Sequence, residues 1–160
     1  MMHLGDIMDN IEKNTLPSQF SIFKGKSAMR MQLQTPRSIE DKYKVGCVIL
    51  QLAPFKEEKN GTRIFAWEDL KLTVKMGVND LTKIIYAIDS GGEVELFHEF
   101  NGTNKTIKLK LNGDKGWFLS VLQNSQDGSK QNISIPITTD EGYAIGIMLK
   151  HALPIIHNWV

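Results

Sequence analysis

EVELFHEFNGTNKTIKLKLNGDKGWFLSVLQNSQDGSKQNISIPI, residues Glu93 to Ile137, is punctuated by Asn101-Gly102, Asn112-Gly113 and Asp127-Gly128. Such pairs reach positive φ at little steric cost, so each marks a tight reversal of an extended chain. Four strands are expected between them: Glu93 to Phe100, Thr106 to Leu111, Gly116 to Gln123 and Asn132 to Ile137. In the second, Ile107, Leu109 and Leu111 take one face while Lys108 and Lys110 take the other, the period-two pattern of a half-buried strand. Short reversals between consecutive strands make the stretch an antiparallel meander.

Helical spacing flanks the meander on both sides. Upstream, Leu81, Ile84, Ile85 and Ile88 form an apolar stripe, with Asn79 or Asp80 expected as N-cap and Gly91-Gly92 as the stop. Downstream, Thr138 and Glu141 form a capping box ahead of Ile145, Met148 and Leu149, and Pro154 is expected to bend or reset the helix. Gly142 and Gly146 are expected to let another backbone approach closely.

Further upstream the strand pattern returns. In Ser27 to Gln34, Met29, Met31 and Leu33 alternate with Arg30, Gln32 and Gln34. Tyr43 to Leu52 is apolar on both faces, as a central strand would be, and Ala53-Pro54 is expected to end it. Arg63 to Trp67 follows the turn signal Lys59-Asn60-Gly61, and Leu70, Leu72, Val74 and Met76 then alternate with Lys71, Thr73 and Lys75. The order is therefore strands, helix, strands, helix, an α+β arrangement of antiparallel sheets. Residues 1–18 read as an N-terminal arm with one short helical turn around Ile7 to Ile11, and 19–160 as a single domain.

Composition is that of a globular chain: 160 residues, 41% hydrophobic and 23% charged, with a net charge of +1. The total conceals an asymmetry, since Asp6, Asp9 and Glu12 lead the chain while Lys24, Lys26, Arg30, Arg37, Lys42 and Lys44 cluster after them. A local basic patch, rather than a basic protein, is what a polyanion needs. The single Cys47 lies in an apolar run and is read as a small buried hydrophobe, which excludes a disulfide framework within one chain. No apolar stretch approaches the roughly 20 residues of a membrane helix, and no secretory or transit leader is evident. A reducing location is expected: cytoplasmic in a bacterial or phage-infected cell, or organellar or nuclear after loss of a targeting segment, with no membrane partner.

Single strands are held without a base code by a basic track beside aromatic platforms, each stack contributing roughly 1–3 kcal/mol. Suitable cations are Lys24, Lys26, Arg30, Lys108 and Lys110; suitable platforms are Phe20, Phe23, Trp67 and Trp117. Trp117 is expected to be exposed after the Gly113 to Gly116 turn, whereas Phe65, Phe118 and Trp159 suit a core or interface role equally well. Gln32, Gln34, Gln123 and Asn124 are available for base edges or sugars.

Lys24-Gly25-Lys26-Ser27-Ala28-Met29 resembles the K-G-K-A-A-L motif of the Whirly family, with Ser27 and Met29 as departures. Further similarities follow in order: Gln51-Leu52-Ala53-Pro54 to Q-F-A-P, Phe65-Ala66-Trp67 to Y-D-W, Glu95-Leu96-Phe97-His98 to E-F-F-H, and Ile135-Pro136-Ile137-Thr138 to I-P-I-T. Leu153-Pro154 and Trp159 resemble the end of that family's last helix. The resemblance, collinear from Phe20 to Trp159, implies a Whirly/PC4-like fold of two roughly four-stranded antiparallel sheets, each followed by a helix. It also implies helix-mediated homotetramers, binding of single-stranded DNA with little sequence preference, and a part for the lysine-glycine-lysine motif in DNA binding and larger assemblies.

Catalysis has little to stand on. Glu95 and Glu99 share a strand face and His98 takes the other, so they form no acid–base pair, and neither a phosphate-cradling glycine loop nor a nucleophile elbow is present. Neither a cofactor nor a metal is expected. Two other readings keep the fold and change the partner: single-stranded RNA or a transcription-cofactor role, and a β-rich protein-interaction module.

Overall fold

The computed structural model describes residues 19–39 and 42–159; the turn expected around Ile7 to Ile11 lies outside the described residues. Eleven strands and two helices are present among them: β1 (Gln19–Phe23), β2 (Ser27–Gln34), β3 (Arg37–Ile39), β4 (Lys42–Lys44), β5 (Cys47–Lys59), β6 (Thr62–Phe65), β7 (Leu72–Met76), α1 (Val78–Ser90), β8 (Val94–Phe100), β9 (Thr103–Leu111), β10 (Trp117–Asn124), β11 (Lys130–Ile137) and α2 (Thr139–Ile156). The first sheet runs β1-β2-β5-β7 and the second β11-β10-β9-β8, every pair antiparallel. β6 folds back on the far end of β5, and β3 pairs β4 as a separate hairpin.

This is the expected order of two four-stranded sheets, each followed by a helix. One core joins them. Met29, Leu50, Leu52 and Val74 of the first sheet, Ile107, Leu119, Val121 and Ile135 of the second, and Leu81, Ile84, Ile145 and Leu149 of the helices belong to a single buried cluster. Period-two alternation then turns the opposite face of each sheet away from that core.

Some boundaries differ from expectation for tertiary reasons. Pro54 does not end β5. It sits where β5 exchanges partners: Ser27 of β2 opposes Pro54, while Phe55 opposes Phe65 of β6, with a bulge between Phe55 and Glu57. A residue without an N–H is tolerated at such an irregularity. α1 starts earlier, with Gly77 as N-cap and no side-chain cap. Asp80 is instead drawn to His98, whose Nε2 lies 2.9 Å from its Oδ2. The capping box of Thr138 and Glu141 forms as expected, and Pro154 is carried inside α2, which continues to Ile156.

Candidate nucleic-acid interface

The outward face of the first sheet is set by register. Arg30 of β2 stands opposite Gln51 of β5, which stands opposite Thr73 of β7; Lys75 follows two residues on. Where these strands pair, over Gln19–Phe23, Ser27–Gln34, Cys47–Pro54 and Leu72–Met76, the outward positions include Arg30 and Lys75 among glutamines, Ser21 and Thr73, and no acid; the acids of β5, Glu57 and Glu58, lie beyond Pro54. The polar groups are linked: Arg30 Nε donates to Gln51 Oε1 at 2.5 Å, and Gln51 Nε2 donates to Thr73 Oγ1 at 3.2 Å.

One end of this face is aromatic. Ala28 and Ala53 are fully buried beneath Phe65, with Phe55 and Trp67 packed around them, a small cluster apart from the main core. Alanines there let the rings lie close to the sheet. Phe23 contacts Phe65 at 5.8 Å between centroids and remains 61% exposed. The Arg30 guanidinium lies 4.2 Å over the Trp67 ring, and Arg63 lies 4.1 Å over Phe55. These cation–π contacts, worth about 0.5–1 kcal/mol each when exposed, hold positive charge against the rings. A face that combines flat apolar surface with fixed cations fits stacked bases and their phosphates.

The Lys24–Ser27 turn borders the aromatic end. Lys24 N donates to Ser27 O, Phe55 N to Lys26 O, Ser27 Oγ to Ser134 O, and the Arg63 guanidinium to Gly25 O. Lys24 itself is turned to α2, its Nζ 2.6 Å from Glu141 Oε1. Burial pushes the Glu141 carboxyl up, but hydrogen bonds from Lys24, Thr138 N and the Thr138 hydroxyl outweigh it and hold the group below its ordinary value. Lys26 is exposed at the turn. The two lysines are thus not equivalent: Lys26 is available to a polyanion, and Lys24 is occupied by a carboxylate.

Four other expected residues are placed differently. Trp117, expected to be exposed, is only 5% exposed; its Nε1 donates to Gly92 O at 2.9 Å and its ring lies on Gly142, so it is a core residue. The glycine at 142 therefore admits an indole rather than another backbone. Phe20 opposes Met31 and faces the covered side of the first sheet, where it lines an apolar groove of about 500 Å³ beside α2. Lys108 and Lys110 lie on the outward face of the second sheet, away from Arg30. There Lys108 stands opposite Glu95, and Lys110 Nζ is 3.9 Å from Glu95 Oε2. The side chains of Arg37 and Lys42 lie outside the described ones. Among the described residues no three His, Cys, Asp or Glu side chains group as a metal site would require, and no helix is long and apolar enough to cross a membrane.

Residues 22–148 match the family model described as Whirly transcription factor. The chain belongs to the Whirly family. Membership makes it a non-enzymatic protein of a nucleic-acid-binding, transcription-regulator family. Among solved structures, the plant transcriptional regulator PBF-2 is 24% identical with a TM-score of 0.76, covering 91% of this chain and 93% of that one. WHY3 of Arabidopsis thaliana is 21% identical (TM-score 0.75, 91% of each chain), and WHY1 of Arabidopsis thaliana 23% identical (TM-score 0.75, 91% and 88%). These likenesses establish the Whirly fold. Comparison with curated protein sequences finds no match.

In this Whirly chain the interface includes residues that the sequence did not mark. Lys75 was visible as one of the polar positions alternating with Val74 and Met76, but nothing in one strand tells that its face is the acid-free one. Gln51 was hidden in an apolar run, Phe55 lay beyond the proline expected to end that run, and Arg63 lay in a short strand.

Proposed function

We propose that the chain binds single-stranded DNA with little sequence preference on the outward face of its first sheet, as a subunit of a homotetramer able to form larger assemblies, in protection, replication, recombination or repair of DNA. The observation that carries the reading is that face itself: Arg30 and Lys75 interleave with Phe23 and Trp67 and meet no acid where β1, β2, β5 and β7 pair, with Lys26 beside them and Arg63 at the edge, opposite Glu58 of β5. No hydrogen-bond pattern on it is fixed toward one base, which suits sequence-tolerant stacking. Assembly through helices is supported by α2, which exposes Tyr143, Ile147 and Met148 beside the apolar groove. A surface of this kind is covered in most soluble proteins.

The test is anisotropy of labelled oligothymidine and of a matched duplex across a salt series, with light scattering of the same samples. Single strands are expected to bind far more tightly, with a log–log salt slope of about −0.7 per phosphate neutralised, and the scattering mass to be that of a tetramer. Equal affinity for duplex, or preference for an RNA oligomer of the same sequence, argues against the reading.

A further inference from the structure

A second feature adjoins the interface. Between β7 and the ends of β8 and β9 lies an open cleft of about 480 Å³, with Thr73, Lys75, His98, Phe100, Lys105 and Gln123 in its lining. Its size lies within the range of roughly 300–1,000 Å³ usual for small-ligand sites. Lys75 belongs both to this cleft and to the outward face of the first sheet, so the two are continuous.

The hydrogen-bonded line across the sheet also ends here. Arg30, Gln51 and Thr73 are successive cross-strand neighbours on β2, β5 and β7, and the Lys105 ammonium of β9 donates to the Thr73 carbonyl. A strand lying on Trp67 and Arg30 and running perpendicular to the β-strands is led along this line into the cleft.

Lys105 is an unusual lysine. It is half-buried, on the inward parity of β9 with Ile107 and Leu109, and burial lowers its pKa from the ordinary lysine value. Its acceptor is a neutral carbonyl, and no described carboxylate lies within ion-pair distance of it. Its cross-strand neighbours are His98 and Gln123, and the nearby acid, Asp80, is already paired with His98. A desolvated ammonium with no counter-charge favours an incoming anion. Phe100, 78% exposed at the rim, offers a ring face beside it.

We propose that this cleft is a phosphodiester subsite for the single strand as it leaves the first sheet, with Lys75 and Lys105 taking one backbone phosphate and Phe100 stacking the adjacent base. The assignment rests on the proposed function. It adds a site at which binding is electrostatic rather than stacked, and a direction for the strand across the sheet.

The experiment compares oligothymidines of about 4 and about 16 nucleotides, the ends of the range typical for such sheet surfaces, by anisotropy over a salt series. Lys105→Met keeps the apolar stem, and Lys75→Ala alters only an exposed side chain and serves if the first variant does not fold. Lys105→Met is expected to weaken the long oligomer severalfold, to make its salt slope shallower by about 0.7 and to leave the short one unchanged; Lys75→Ala, which also removes a cation of the sheet face, is expected to weaken both lengths and the long one more. Trp67→Ala is expected to weaken both lengths. Inorganic phosphate at constant ionic strength is expected not to compete; if it does, the cleft is a small-anion site and the subsite is overturned. An unchanged slope in a folded variant overturns the subsite alone, whereas wild-type protein that binds neither oligomer overturns the functional reading and the subsite with it.

Discussion

Lys24 and Lys26 are separated by one glycine and meet different surroundings. Both were legible as cations at a strand entrance; that Lys24 is neutralised was not, because its partner Glu141 lies 117 positions away. Sequence proximity reports local chemistry, and only the folded chain reports which charge is already matched. Lys26→Ala is therefore expected to lower affinity for single strands and to reduce the salt slope by about 0.7 while leaving unfolding unchanged. Lys24→Ala is expected to act first on stability, by about 0.5–1 kcal/mol, the ordinary worth of a partly exposed pair. Glu141→Gln should cost a similar amount, and the double variant less than the sum. The Glu141 carboxyl is held below its ordinary value, so the unfolded chain binds its proton more readily than the folded one. Its contribution is complete above the ordinary glutamate pKa of about 4.3 and disappears as pH falls through the lower folded value. Urea unfolding across that acid range should show wild type losing its advantage over Glu141→Gln as the pH drops.

At the scale of elements, much of the fold could be read directly. Positive φ at Asn101 and at Gly102, Gly113 and Gly128 shows that turn dipeptides mark the reversals of the second sheet, since that backbone requirement is local. β2 and the capping box of α2 were likewise legible from alternation and from side-chain spacing. What failed to be legible depends on neighbours: Pro54 survives because β5 changes partners there, and Trp117 is buried because α2 passes over it. Gly142 and Gly146 illustrate the same limit, for one helix and one spacing serve two purposes. A Cβ on Gly142 would lie 2.9 Å from Trp117 Cε3 and closer to Cζ3, whereas one on Gly146 meets only Ile88 Cγ2 at 3.4 Å. Gly142→Ala must displace a buried indole, an overpacking cost of about 1–3 kcal/mol, against a helix-propensity gain of about 1 kcal/mol. Gly146→Ala keeps most of that gain. Chemical denaturation should find the first variant less stable than wild type and the second equal or more stable.

The whole molecule presents two sheet faces that look alike in strand pattern and differ in charge. Outward on the second sheet, Phe97 and Phe118 are exposed and Lys108 and Lys110 are present, so composition alone would nominate it as readily as the first. Register decides between them. Glu95 stands opposite Lys108 and within 3.9 Å of Lys110, and Glu99 lies two outward positions further along β8, so Lys108 and Lys110 both have an acid at hand. On the first sheet Arg30 and Lys75 have none where β1, β2, β5 and β7 pair, the acids of β5 lying beyond Pro54. Counterions condense on a polyanion and are released by protein charges that are not already compensated. Replacing Lys108 and Lys110 together by Ala is thus expected to change affinity little and the salt slope hardly at all. Arg30→Ala with Lys75→Ala, an equal loss of two charges, is expected to weaken binding at least tenfold and to reduce the slope by about 1.4, twice the value of about 0.7 per phosphate contact. Anisotropy of one oligothymidine with both double variants makes the comparison directly, and the opposite ranking would place the strand on the second sheet.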